Sequence, residues 1–104
     1  MFEKLSAVEN RYEQIGVELT RPDVASDNAL FTKLMKEHSE LTPIVEKYRE
    51  YCAAVKAEKE SLQMLDEGGL EKDFKELVEE ELADAKEKIA ETSEQLKILL
   101  LPKD

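Results

Sequence analysis

The residues able to do chemistry are few. His38 is the only histidine and Cys52 the only cysteine among 104 residues. An imidazole can act as a general base or metal ligand, and a thiolate as a nucleophile, but each needs partners within reach. These two stand fourteen residues apart, about 21 Å along a helix. No second histidine or cysteine completes a metal set, and Glu37 and Glu40 do not share the His38 face closely. Gly68-Gly69 is followed by Leu70, not by the remainder of a Gly-x-x-x-x-Gly-Lys loop, so it reads as a turn and not as a phosphate cradle. Carboxylates are so dense that no single pair stands out as an acid–base couple. The sequence therefore assigns no catalytic, cofactor-binding or metal-binding residue, and no cofactor or small-molecule ligand is expected.

The elements that would position these residues are helices. Large apolar residues recur at three-then-four spacing in three segments. The first runs Leu5, Val8, Tyr12, Ile15, Leu19. The second runs Leu30, Leu34, Leu41, Val45, Tyr48, Cys52, Val55, Leu62. The third runs Phe74, Val78, Leu82, Ala85, Ile89, Leu96, Leu99. A repeat near 3.5 places each set on one narrow stripe, the pattern of helices that pack along one another. On these series His38 and Cys52 fall on the seam, where both read as structural, Cys52 as a small buried hydrophobe. Lys59 and Thr92 also hold seam positions and are expected at wet edges. Little apolar surface remains to line a substrate pocket, which favours a scaffold or docking element over an enzyme.

Punctuation sets the boundaries. Helix one is expected from about Phe2 to Thr20, stopped by Arg21-Pro22-Asp23, because the residue before proline is pushed out of the helical region. Ser26 or Asp27 then caps helix two, which runs to about Leu65. Gly68-Gly69 turns the chain, and helix three runs from about Leu70 to Leu101, before Pro102. So short a turn folds helices two and three into an antiparallel hairpin, with helix one packed along part of it. The fold class is all-α. Pro43 lies inside helix two; the seam keeps its register from Leu41 to Val45, so a kinked continuous helix is favoured over two helices with Thr42 as a new cap. Gly16 costs helix one about 1 kcal/mol against alanine. Pairs such as Glu71–Lys75 and Asp84–Lys88 have the spacing to support helix three, and Glu79-Glu80-Glu81 reads as a solvated face.

Charge narrows the partners. The formal net charge is −10. Residues 1–52 hold 7 Lys/Arg against 10 Asp/Glu, a net of −3, and residues 53–104 hold 8 against 15, a net of −7. Phosphate backbones would repel such a chain, so direct nucleic-acid binding is not expected, and a basic protein surface suits it better. A single cysteine allows no internal disulfide and fits a reducing cytosol. Apolar runs such as Ile98 to Leu101 fall far short of a membrane span, and the Met1-Phe2-Glu3-Lys4 start lacks the form of a secretion signal. A cytoplasmic protein without membrane contact is the expectation.

One ending is more specific than periodicity. Leu99-Leu100-Leu101-Pro102-Lys103-Asp104 resembles the junction after the first helical domain of bacterial class I peptide chain release factors, most of all type 1, which reads UAA and UAG. Arg21-Pro22-Asp23-Val24, Phe31 with Leu34, Leu41-Thr42-Pro43-Ile44-Val45-Glu46, Tyr48 and Met64-Leu65-Asp66 agree in order and spacing. The resemblance covers the whole chain. It implies that 1–104 is a single helical domain, the N-terminal part of a longer factor that directs stop-codon-dependent release of the nascent peptide on the ribosome. In that family later domains read the codon and carry Gly-Gly-Gln; Gly68-Gly69-Leu70 is not that motif, so the resemblance assigns no such residue here. It also implies docking toward the stalk base of the large subunit and a functional link to the class II release-factor GTPase. The acidic charge adds a basic ribosomal protein as the contact. A free-standing helical adaptor or coiled-coil chaperone would share the heptad period and stands as the alternative.

Overall fold

The computed structural model describes residues 2–102; Lys103 and Asp104, the end of the Leu-Pro-Lys-Asp motif, lie outside the described residues. Four helices follow in order: α1 Leu5–Glu18, α2 Pro22–Ala25, α3 Asn28–Glu67 and α4 Lys72–Leu99. The three expected helices, a shorter first one and two long ones, are α1, α3 and α4, and among the described residues there is no strand. α2 was not anticipated. Arg21 is extended, as a residue before proline must be. Pro22 then occupies the first helical position, where its missing N–H costs nothing, so the proline that stops one helix also starts a single turn of the next.

Of the two capping candidates, Asp27 takes the role. Its Oδ1 accepts the Leu30 N–H at 3.1 Å, while Ser26 Oγ donates back to the Asp23 carbonyl. α3 continues through Pro43 as one helix of 40 residues, about 60 Å long. Ser39, whose carbonyl loses its donor to the proline ring, and Pro43 are both exposed, so the unmet bond faces solvent. Gly68 and Gly69 each adopt φ +73°, a left-handed conformation in which any side chain is strained. Two such residues in succession account for the sharp reversal between α3 and α4.

The chain forms two compact units, Met1–Glu46 and Lys47–Asp104. In the first, α1 packs on the early part of α3. Ile15, Val24 and Leu34 form its buried cluster, with Leu19, Phe31 and Leu41 packed against it. The α1 series is borne out, since Leu5 and Ile15 are buried and Val8, Tyr12 and Leu19 half-buried. In the second unit, the later part of α3 packs on α4. There Val78, Ala85 and Leu96 are buried, and Leu82, Ile89 and Leu99 half-buried, as their spacing predicts.

Five seam assignments fail, and two of them, Leu30 and Phe74 at the starts of their series, are exposed at 39% and 45%. Cys52 is exposed, not buried. Leu62 is likewise exposed, while Ala54 and Ser61 are buried in their place. Tyr48 and Val55 are half-buried as expected, but residues 51, 54, 58 and 61, one position ahead of the expected 52, 55, 59 and 62, are buried or half-buried as well. Over its whole length α3 is scarcely amphipathic, whereas α1 and α4 each carry one apolar stripe. The cause is that α3 buries against α1 in one unit and α4 in the other, so one heptad register need not serve both. Thr92, expected at a wet edge, is 0% exposed. Its hydroxyl donates to the Lys88 carbonyl at 2.7 Å within its own helix, which satisfies the polar atom and lets the methyl pack.

Candidate docking surface

Within the first unit the polar groups cluster between α1 and α3. Arg11 Nε and Nη2 donate to the two carboxylate oxygens of Glu37 at 2.8 and 3.0 Å, a bidentate pair. That hydrogen bond holds the Glu37 carboxyl below its ordinary value and the Arg11 guanidinium above its own, with partial desolvation working against both. One position further on each helix, Tyr12 and His38 stack, ring centroids 4.3 Å apart and planes at 16°. Thr42 Oγ1 lies 2.8 Å from the His38 carbonyl and 3.1 Å from the Tyr12 hydroxyl. Because the carbonyl only accepts, the single threonine proton goes there and the phenol can donate in return. His38 thus serves packing between helices, as its seam position suggested. Among the described residues no group of three His, Cys, Asp or Glu could hold a metal ion.

The Arg11–Glu37 pair was not read from the sequence, although a signal exists: each residue sits one step before a seam aromatic, Tyr12 or His38. Such a flanking pair is legible only once the two helices are known to be neighbours.

The second unit carries an open groove of about 520 Å³ between α3 and α4. Ala53, Ala54, Ala57 and Ala85 make its apolar floor, and Glu81 and Asp84 stand on its α4 side. Glu50 and Lys88 pair across it at 3.2 Å, so Lys88 does not serve the expected pair with Asp84. Glu50 also meets Lys47 at 2.9 Å; these hydrogen bonds, Lys47 first and Lys88 second, hold its carboxyl below the ordinary range. Glu79, Glu80 and Glu81 are all exposed, and Lys59 is too, as expected. The chemistry of the groove is that of a contact: apolar floor, acidic edge.

Comparison with known proteins adds the following. The PCRF domain family model matches residues 8–104. Proteins named peptide chain release factor 1 match over all 104 residues: 46% identity in Caldicellulosiruptor saccharolyticus, 47% in Agathobacter rectalis and 42% in Clostridioides difficile. The chain spans 29% of the length of each of these relatives. No solved structure matches the chain significantly. No helix among the described residues is long and apolar enough to cross a membrane.

Proposed function

The chain belongs to the PCRF domain family, and from that premise we propose that it is the N-terminal docking domain of a type 1 peptide chain release factor. The observation that carries this reading is the family match over residues 8–104 together with relatives of that name at 42–47% identity. The whole factor terminates translation at UAA and UAG in the cytoplasm, and this domain positions it on the ribosome. The part played by 1–104 is not enzymatic: the chain holds no Gly-Gly-Gln, and codon reading belongs to the remainder of the factor.

The partner is the stalk base of the large subunit, met through a basic ribosomal protein. A net charge of −10 supports a protein contact over an RNA contact, because ribosomal RNA would repel it. The same positioning links the domain to recycling by the class II release-factor GTPase. Co-sedimentation of the 104-residue chain with large ribosomal subunits tests the reading. Binding that is present at low salt and falls steeply as salt rises supports it. Absence of co-sedimentation at any salt, or binding unchanged by salt, would overturn it.

A further inference from the structure

Phe74 and Leu77 are large apolar side chains left 45% and 51% exposed on α4. Both belong to the series 74, 77, 81, 84, 88, whose three-four spacing keeps to one helix face. Glu81, Asp84 and Lys88 of that series border the alanine groove. The groove and the two exposed side chains therefore share one strip of α4, about 21 Å long at 1.5 Å per residue. Single exposed apolar residues are ordinary on protein surfaces, whereas a strip of them beside a concave apolar floor marks a contact.

The edge of the groove decides what kind of contact. Among the described residues Glu81 and Asp84 form no ion pair; Lys88, the one cation lining the groove, pairs with Glu50, and so does Lys47 beside it. The uncompensated charge is thus negative. A second copy of the chain would bring the same acidic edge and a net −10, so self-association through this strip is opposed. The complement is a positively charged protein segment. Alanine Cβ atoms leave room for aliphatic side chains to enter, the geometry by which a groove accepts an amphipathic helix.

We propose that this strip docks a basic amphipathic helix of a partner protein, its aliphatic side chains on Ala53, Ala57 and Ala85 and against Phe74 and Leu77, its Lys or Arg residues opposite Glu81 and Asp84. This deepens the docking reading by naming the surface. Its test is separate: a chain that takes such a helix here but fails to sediment with large subunits overturns the ribosomal reading and not this one.

The probe is an 18-residue peptide of leucine and lysine, with leucine at i, i+3, i+4, i+7, titrated into the isotope-labelled chain and followed by amide chemical shifts. Shifts confined to the neighbourhoods of Ala53, Ala57, Leu77 and Ala85, absent when glutamate replaces the lysines, are expected. The doubly reversed E81K/D84K chain should bind the lysine peptide about tenfold more weakly. If circular dichroism shows that variant to be unfolded, Leu77→Ser is read instead, with the same expected weakening. Shifts centred elsewhere, equal binding of the glutamate peptide, undiminished binding by the folded variant, or no shifts at millimolar peptide would each overturn the proposal.

Discussion

Ile15 and Gly16 are neighbours on α1, yet replacing each by alanine should move stability in opposite directions. Ile15 is 0% exposed and belongs to the cluster with Val24 and Leu34. Ile15→Ala deletes three carbons, about 0.8 kcal/mol each in transfer alone. The cavity left behind brings the loss to about 3–4 kcal/mol. At Gly16 nothing lies within 4 Å of where a Cβ would sit, so close helix approach does not explain this glycine. Gly16→Ala adds no clash, improves helix propensity and restricts the unfolded chain, a gain of about 1 kcal/mol. For a chain of this size that corresponds to a rise in Tm of about 4–8 °C. Because the chain forms two compact units, thermal melts should be paired with amide hydrogen exchange in α1, which reads the first unit directly. A fall in stability for Gly16→Ala would mean that the added methyl meets something. A loss below about 1 kcal/mol for Ile15→Ala would remove Ile15 from the core.

Other outcomes follow from the same structure. Arg11 lowers the folded-state value of the Glu37 carboxyl, so the stabilisation from that pair is fully present above the ordinary value of 4.5 and is lost as pH falls through the lower folded value. The stability difference between the parent chain and Glu37→Gln should accordingly be constant above about pH 5 and shrink below pH 4.5; a difference independent of pH across that range would remove the pair from the account. Gly69→Ala should cost about 1–2 kcal/mol in urea melts, from backbone strain alone, since its Cβ would meet open space. An unchanged midpoint would refute the left-handed turn. Cys52 should react with a thiol reagent in the folded chain at the rate of an exposed thiol, and Cys52→Ser should alter stability by less than about 0.5 kcal/mol. Protection of the thiol until unfolding would restore the sequence-derived seam.

Much of the helical framework was legible because helix stops and turns are local. Arg21-Pro22 and Gly68-Gly69 act through their own backbone geometry and Asp27 through a side-chain bond three residues on, and each does what its chemistry dictates. The stripes of α1 and α4 were legible for a related reason: each helix buries one face, so period alone identifies it. The later part of α3 was not, because a helix that changes packing partner midway carries two faces, and a single heptad count cannot say where one ends. Cys52 and Leu62 were misplaced for that reason, and Ala54 and Ser61 overlooked. Thr92 was misjudged because burial of a hydroxyl depends on a bond to its own helix, at 2.7 Å, that no apolar pattern encodes. The groove was hidden by its material: alanines spaced at 53, 57 and 85 look like helix filler until two helices set them side by side.

The most direct test of the central claim is competition. If the proposed docking role holds, excess 104-residue chain added to peptide release by the protein named peptide chain release factor 1 of Caldicellulosiruptor saccharolyticus should slow that release by competing for the same site. It should release no peptide when it is the sole factor present. An unchanged release rate at saturating chain, or peptide release by the chain itself, would contradict the account of a docking domain.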